Sequence, residues 1–489
     1  MSSYILSIDA GTTGITILII DKQTNILNKY YREFTQYYPN PGWVEHDGEE
    51  IWMITKELIL DAFTEYDPHE CVGIGVANQR ETTIIWNRKT DKPIHNAIVW
   101  QCQRTQGICE ALKENGLEAE FNKKTGLIID SYFSGPKIKW LLDHCKNARD
   151  MAEKGKLAFG TIDSWLLWKL TKGKVHATDF TNASRTLIFN IDNLNWDKKL
   201  LSILKIPISI LPKVSTSSGM FGATDPELFG RTIPITGIAG DQQAALFGQG
   251  CFSVGESKCT YGTGCFLLTN TGKKRIDSSS GLLTTIACND KGKPIYALEG
   301  SVFIGGAVIQ WLRDELKLLK HVSDSEKIAL SVKDNNGVVI VPAFSGMGAP
   351  YWNMEARGII TGLTRGSNSK HIIRAALESI AYQVKDVLDA IFSDMDLNLP
   401  SLKVDGGAVK NQYLMQFQAD ILNQKIDRPV NIESTALGAG MLAGLATGFW
   451  SDAKELSKTR KTDQIFTPQM MENKRLALQQ SWRQAIAKI

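Results

Sequence analysis

Two short turns rich in glycine and threonine carry side chains suited to phosphate chemistry. Residues 11–14 read Gly-Thr-Thr-Gly, and residues 262–264 read Gly-Thr-Gly. Hydroxyl groups and backbone N–H groups in a tight turn can bind phosphate oxygens. The recurrence of such a turn in each half of the chain indicates an internal duplication, with chance repetition of a common turn as the alternative.

A second group of residues combines hydrogen-bond donors and acceptors. Arg80 carries donors in a rigid fork, while the adjacent Glu81 and the distant Asp241 carry acceptors. Asp241 follows the apolar run 233–240 and opens a segment typical of a helix, so we expect it to be the helix N-cap. For the Arg80-Glu81 pair the alternative is an exposed charged turn.

Apolar runs flank both turns and predict the elements that position them. Each turn lies between two strand-like runs, 4–9 with 15–20 and 257–261 with 265–269, which predicts two β-hairpins. Residues 402–411 predict a strand, a Gly406-Gly407 turn and the start of a helix, where the backbone can approach a polar ligand. Two further helices are expected, a closely packed one over 437–446 and a docked surface helix over 471–489.

Composition excludes several classes of protein. The chain has 489 residues with 55 Lys+Arg against 52 Asp+Glu, a formal charge of +3, and 43% hydrophobic residues. These values are typical of a globular protein and argue against disorder or a nucleic-acid-binding surface. We find no signal peptide, no membrane-spanning run and no zinc motif among the eight cysteines. A reduced, cytoplasmic protein is therefore expected.

Two common nucleotide-binding motifs are absent from the sequence. Neither Gly-x-x-x-x-Gly-Lys-[Ser/Thr] nor Gly-x-Gly-x-x-Gly occurs. Instead, several strings occur in an order and at spacings that resemble the FGGY family of carbohydrate kinases, on the actin/hexokinase/heat-shock-chaperone fold. The strings are PGWVEH at 41–46, NQRETT at 78–83, NAIVWQ at 96–101, YFSGPKIKW at 132–140, AGDQQ at 239–243, YGTGC at 261–265 and GIITGL at 358–363. The resemblance covers essentially the whole chain.

The resemblance implies an α/β protein of two ribonuclease-H-like, actin-like ATPase domains with a deep cleft between them. The expected division is a polyol-binding N-terminal domain over 1–248 and a nucleotide-binding C-terminal domain over 249–489. The implied reaction is ATP- and Mg²⁺-dependent phosphorylation of glycerol to sn-glycerol 3-phosphate, as the first step of glycerol catabolism. A homo-oligomer, dimer or tetramer, is also expected, with no nucleic-acid partner and no membrane span.

The same resemblance assigns residues to each part of this reaction. Asp241 is the expected general base, and Asp9 is expected to orient Mg²⁺ through water. The implied nucleotide residues are Thr12, Thr13, Gly14, Thr263, Gly306, Gln310, Gly407 and Asn411. The implied polyol residues are Arg80, Glu81, Trp100, Tyr132, Asp241, Gln242 and Phe266.

One position departs from the family pattern, and two alternatives stay open. Thr16 stands where related kinases often carry an arginine near the phosphates. The near alternative is an FGGY kinase for another small polyol, a ketose or a sugar acid. The alternative of a different class is an actin-like ATP-driven protein switch, which would share the phosphate turns but would not need the polyol residues.

Overall fold

The computed structural model describes residues 3–290, 293–395 and 399–489, which divide between two units. Unit 1 comprises Met1–Phe252, Thr284–Tyr296 and Ser434–Arg460, and unit 2 comprises Ser253–Leu283, Ala297–Glu433 and Lys461–Ile489. Mixed β-sheets and α-helices occur in both, so the predicted α/β class is confirmed. The division into functional domains at residue 248 stays a prediction.

Unit 1 is built on a six-stranded mixed sheet. Its strands, in spatial order, are Ser218–Ala223, Pro234–Gly240, Cys71–Asn78, Tyr4–Ala10, Gly14–Ile20 and Ile26–Glu33. The three central strands of this order run parallel, and antiparallel strands continue the sheet on either side. The predicted first hairpin is confirmed, with Asp9 opposite Thr16.

Short strands and helices surround this sheet. The paired short strands are Glu45–His46 with Ala97–Ile98, Ile84–Asn87 with Lys92–Pro93 and Leu157–Gly160, Ala177–Asp179 with Lys213–Ser215, and Phe189–Asn190 with Asn195–Trp196. The helices are Gly48–Glu65, Pro68–Glu70, Gln106–Glu114, Glu118–Thr125, Ser134–His144, Ala148–Glu153, Ile162–Leu170, Phe180–Ala183, Lys198–Leu204, Ile208–Ile210, Pro226–Phe229, Asp241–Gly248, Ser434–Ala446 and Ala453–Ser457.

Both faces of the central strands are covered, which explains their unbroken apolar runs. Because successive side chains point to opposite faces, Leu6 and Ile8 pack in the same cluster as Ile51 of helix Gly48–Glu65. Ile5 instead packs in a cluster with Leu442 of helix Ser434–Ala446. The turn at residues 11–14 thus follows a strand that is packed on both faces.

Unit 2 is built on a mixed sheet and has its own core. Its strands, in spatial order, are Cys265–Gly272, Ser257–Tyr261, Leu402–Asp405, Ile426–Pro429 and Thr462–Phe466, with a further pair Val339–Val341 and Ile359–Thr361. Strand Ile295–Val302 belongs to unit 2 from Ala297 onward, and strand Leu283–Ala287 belongs to unit 1 except for Leu283. The helices of unit 2 are Ala307–Asp314, Asp324–Leu330, Ser369–Asp394, Gly407–Lys410, Gln412–Leu422 and Glu472–Ile486. The second predicted hairpin is confirmed, and so is the C-terminal helix, which buries Trp482 in the unit 2 core.

Close packing accounts for the small residues of helix Ser434–Ala446. A Cβ atom added to Gly438 would collide with the carbonyl oxygen of Ala244, on helix Asp241–Gly248. A Cβ atom at Gly75 would collide in turn with the carbonyl of Ala439. The small residues therefore let one helix lie directly against the sheet and against the helix that begins with Asp241, as predicted for 437–446.

The variant Gly438→Ala is expected to lower the melting temperature, because a backbone carbonyl must move to admit the methyl group. Overpacking of this kind costs about 1–3 kcal/mol. Gly107→Ala is the matched control, since Gly107 also lies on a helix of unit 1 but its Cβ would meet nothing within 4 Å. That control should gain stability, by about 0.5–1 kcal/mol. Equal melting temperatures for the two variants, measured by calorimetry, would contradict the packing argument.

Among residues 3–290, 293–395 and 399–489, no helix has the length and apolarity needed to cross a lipid bilayer.

Candidate active site

Arg80 lies at the centre of a buried polar cluster in unit 1. Its side chain is 2% exposed, with Nε 3.2 Å from Asp241 Oδ1. The two terminal nitrogens donate to Gln243 Oε1 at 3.2 Å and to the Tyr132 hydroxyl at 3.3 Å. Glu81 is equally buried, so the exposed charged turn considered for the pair is wrong. Because Arg80 and Glu81 follow the end of strand Cys71–Asn78, the sheet itself fixes their position.

Asp241 reaches Arg80 from the end of the neighbouring parallel strand. Gly240, the last residue of that strand, has no room for a side chain, since an added Cβ would lie 2.7 Å from two carbons of Arg80. The predicted N-cap role of Asp241 is wrong: Gly240 is the N-cap and Asp241 is the first helical residue. Its carboxylate instead accepts from the backbone N–H and side-chain amide of Gln242, at 2.7 and 3.2 Å. A quarter of the Asp241 side chain remains exposed.

Glu81 is held by Arg185, which is not among the site residues predicted from the sequence. Arg185 is wholly buried and donates from Nε to Glu81 Oε1 at 2.6 Å. Its guanidinium also lies over the rings of Tyr132 and Phe133, 5.5 and 5.2 Å from their centroids. The Glu81 backbone has a positive φ of 60°. This left-handed conformation is strained for a glutamate and is typical of functional sites.

The cluster balances its charges. Two arginines, Arg80 and Arg185, face two carboxylates, Glu81 and Asp241. Buried charges persist when they are paired and hydrogen-bonded. Such a cluster suits an uncharged ligand rich in hydroxyl groups, because it presents both hydrogen-bond donors and acceptors.

Aromatic rings form one side of the same cluster. Trp100 and Tyr132 meet edge to face with centroids 5.5 Å apart, and the Trp100 indole N–H donates to Thr12 Oγ1 at 3.0 Å. Tyr132 is anchored by Lys137, a buried side chain that donates to the three backbone carbonyls of residues 131–133. Burial lowers the pKa of the Lys137 ammonium to about 8. These contacts make a rigid apolar wall beside the charged groups.

The turn at residues 11–14 of unit 1 is tight and partly open to solvent. The Gly11 N–H donates to the Gly14 carbonyl at 3.0 Å, Thr13 is exposed, and a Cβ at Gly14 would lie 2.7 Å from the Arg32 carbonyl. Asp9 precedes the turn. Among the described residues, no three His, Cys, Asp or Glu side chains are grouped so as to hold a metal ion. One carboxylate beside a phosphate turn nevertheless fits Mg²⁺, which keeps most of its waters.

The unit 2 residues of the predicted nucleotide set lie on three adjoining loops. The Thr263 carbonyl accepts from Gly305 and Ala307 N–H groups at 2.7 and 3.1 Å, and Gly306 donates to Gly262. Gly306 is the N-cap of helix Ala307–Asp314, on which Gln310 is exposed.

The third loop differs in detail from the sequence expectation. Gly406, with φ 88°, packs against the backbone of Tyr261, so the turn requires glycine there. Gly407, the predicted contact residue, has open space around it. The Asn411 side chain caps helix Gln412–Leu422 and also donates to Ser325 Oγ at 3.3 Å. Phe266 lies on strand Cys265–Gly272 of the same unit.

Comparisons with known proteins agree over the whole chain. Models of the N-terminal and C-terminal domains of the FGGY family of carbohydrate kinases match residues 4–248 and 257–447. A glycerol kinase of Carboxydothermus hydrogenoformans is 58% identical, over 99% of this chain and 98% of that protein. One of Petrotoga mobilis is 57% identical over the same shares. Among solved structures, Plasmodium falciparum glycerol kinase with ADP is 39% identical, with a TM-score of 0.92, covering 100% of this chain and 98% of that one. The chain belongs to the FGGY family of carbohydrate kinases.

Proposed function

We propose that this protein is a kinase that transfers the γ-phosphoryl group of ATP to glycerol, giving sn-glycerol 3-phosphate. The single observation that carries the proposal is the buried, charge-balanced cluster of Arg80, Glu81 and Asp241 beside the Trp100–Tyr132 wall. Glycerol kinases of 58% and 57% identity over 99% of the chain support this substrate.

The cluster matches the chemistry of a three-carbon polyol. Arg80 donates to hydroxyl oxygens, whereas Glu81 and Asp241 accept from hydroxyl hydrogens, and Gln242 adds a polar contact. Trp100 packs against the carbon chain, and Phe266 stays the further aromatic residue that the family resemblance implies. An uncharged ligand leaves the two arginine–carboxylate pairs balanced, while a sugar acid would add an unpaired negative charge.

Phosphoryl transfer needs orientation and charge stabilisation more than covalent chemistry. Asp241 accepts the hydrogen bond of the terminal hydroxyl and takes its proton as that oxygen bonds to the γ-phosphorus and the bond to the ADP oxygen breaks. The Arg80 guanidinium, 3.2 Å from Asp241 Oδ1, keeps the carboxylate oriented. Because a quarter of the Asp241 side chain is exposed, the base remains accessible to a ligand.

The nucleotide residues of this proposal are those that the family resemblance implies. Thr12, Thr13 and Gly14 bind the β- and γ-phosphate oxygens, with Thr263 contributing a further hydroxyl. Asp9 would hold Mg²⁺ through water, and the bound ion would neutralise phosphate charge. The adenosine residues of this proposal are Gly306, Gln310, Gly407 and Asn411.

An ADP-release assay tests the function directly. ATP turnover should require glycerol and should be much slower with xylulose or gluconate, while dihydroxyacetone tests tolerance of a ketone. Turnover with a pentulose but not with glycerol would favour another kinase of the family. ATP turnover that is indifferent to every polyol would favour a protein switch.

Two further expectations need separate experiments. Light scattering tests the predicted homo-oligomer, and cell fractionation tests the predicted cytoplasmic location.

Arg185→Gln is expected to raise the KM for glycerol by about tenfold, because Glu81 loses a short charge-assisted hydrogen bond. The glycerol KM of Arg185→Lys should lie between those of Arg185→Gln and the wild type, since lysine keeps the charge but not the planar fork. The matched control is Arg88→Gln, which removes an arginine stacked on Trp168 and bonded to the Leu157 carbonyl. That control should lower the melting temperature and leave the glycerol KM unchanged. An unchanged glycerol KM in Arg185→Gln would refute the role given to Arg185.

A further inference from the structure

His46 is a buried side chain that the proposed mechanism leaves without a role. Its exposed fraction is 0%, and its ring lies between two glutamines of unit 1. His46 Nε2 is 2.7 Å from Gln36 Oε1, and Nδ1 is 3.2 Å from Gln79 Nε2. The ring edge also meets Phe34, with centroids 4.9 Å apart.

Both glutamines bind the backbone of the phosphate turn. Gln36 Nε2 donates to the Thr12 carbonyl at 3.0 Å, and Gln79 Nε2 donates to the Gly11 carbonyl at 3.0 Å. The imidazole ring therefore sets the spacing between the two side chains that hold successive carbonyls of this turn.

The same network continues to the aromatic wall and closes on itself. Gln79 Oε1 accepts from Thr82 Oγ1 at 2.8 Å, and Thr82 Oγ1 accepts from the Trp100 backbone N–H at 3.3 Å. The Trp100 indole N–H donates in turn to Thr12 Oγ1 at 3.0 Å. The turn and the polyol wall thus share one ring of hydrogen bonds that passes through His46.

The directions of these hydrogen bonds require a neutral imidazole. Because both glutamine amide nitrogens donate to backbone carbonyls, Gln36 offers its oxygen to the ring and Gln79 offers an N–H. His46 must donate from Nε2 and accept at Nδ1, which only the neutral ring can do. Burial lowers the pKa of His46 to about 3, in agreement with this assignment. The ring is consequently not a proton carrier near neutral pH.

We propose that His46 is a positioning residue for phosphoryl transfer, which fixes the turn at residues 11–14 relative to Trp100 through Gln36 and Gln79. The proposal rests on the proposed function, because that function makes this turn the binding site of the β- and γ-phosphates. A small displacement of groups that orient reacting atoms reduces the rate by up to about 10². Loss of the His46 bridge should therefore act on ATP use more than on polyol binding.

The test compares His46→Phe, which keeps an aromatic ring but removes both hydrogen bonds, with His46→Asn, whose amide retains one donor and one acceptor. We expect His46→Phe to lower kcat/KM for MgATP by about tenfold or more, with the glycerol Kd within about threefold of the wild type because Arg80 and Asp241 are untouched. His46→Asn should recover part of the loss. Hydrogen exchange at residues 11–14 should be faster in His46→Phe.

His176→Phe is the matched control. His176 is a half-buried histidine of unit 1 with hydrogen bonds at both ring nitrogens, to Arg88 and to the Phe159 carbonyl. The substitution His176→Phe should lower the stability of the protein without changing hydrogen exchange at residues 11–14 or the kcat/KM for MgATP. Should His46→Phe fail to fold, Gln36→Met removes the bond to the Thr12 carbonyl from a half-buried position and should show the same kinetic and exchange changes.

Two results would overturn the inference. One is a wild-type kcat/KM for MgATP in His46→Phe, or in Gln36→Met if the former does not fold. The other is exchange at residues 11–14 no faster than in His176→Phe. The outcome is separable from that of the proposed function: a wild-type protein that phosphorylates no glycerol refutes the function, while hydrogen exchange still decides whether His46 holds the turn.

Discussion

Asp241→Asn is expected to lower kcat for glycerol phosphorylation by about 10² to 10⁴, while the protein stays folded and binds MgATP. This range is typical for loss of a positioned general base. Asparagine has nearly the same shape as aspartate, and it can still accept a hydrogen bond from Gln242, whose backbone N–H lies 2.7 Å from Asp241 Oδ1. It cannot take a proton from the attacking hydroxyl. Steady-state kinetics at saturating glycerol and ATP measure the effect.

The matched control for this substitution is Asp452→Asn. Asp452 caps helix Ala453–Ser457 in unit 1, where its side chain accepts from the Glu455 N–H at 2.9 Å. Asparagine is an equally good N-cap, so turnover should not change. The assignment of Asp241 fails if Asp241→Asn retains a kcat near that of the wild type, or if its melting temperature and MgATP affinity fall along with kcat.

Features encoded over a few neighbouring residues were predictable from the sequence. The hairpin around residues 11–14 follows from two apolar runs and a glycine-rich turn, and the structure confirms it. The small residues over 437–446 likewise predict a closely packed helix. Local patterning succeeds in these cases because the signal and the element it determines occupy the same stretch of chain.

Contacts between distant positions were not predictable in this way. Arg185 and Glu81 are 104 residues apart and meet only after folding. Similarly, the His46 ring joins Gln36 to Gln79 because three separate segments converge behind the phosphate turn. The residues around Arg185 and His46 do not indicate which distant side chains these two residues contact. His46 belongs to the PGWVEH string at 41–46, whereas Arg185 lies in none of the motif strings of the sequence.

The error at Asp241 has a physical cause. An aspartate at the start of a helix is a strong N-cap signal, but Gly240 already terminates the strand in an extended conformation and serves as the cap. The Asp241 carboxylate is then directed to Arg80 and Gln242. Tertiary ion pairing therefore decides the orientation of this side chain, and a local rule cannot anticipate it.

Arg80→Ala is expected to raise the KM for glycerol by about 100-fold or more while the KM for MgATP stays within about threefold. A hydrogen bond to a charged group contributes about 1.5–3 kcal/mol, and Arg80 approaches Asp241, Tyr132 and Gln243 together. Its removal also leaves Asp241 without this cation, so the base is less well oriented. Arg80→Lys keeps a positive charge without the planar guanidinium fork, so its glycerol KM should lie between those of Arg80→Ala and the wild type.

Stability must be separated from recognition in this variant, because removing a buried cation also costs folding free energy. Arg149→Ala provides the comparison: Arg149 pairs with Asp143 and donates to the Lys205 carbonyl at the surface of unit 1, so neither KM should change. Glycerol binding by calorimetry, at a temperature where circular dichroism shows Arg80→Ala to be folded, then isolates recognition. An equal rise in the two KM values would mean that Arg80 supports the fold of the site as a whole. A selective rise for glycerol ties the buried guanidinium to the polyol, since the phosphate turn at residues 11–14 makes its own hydrogen bonds to Gln36 and Gln79.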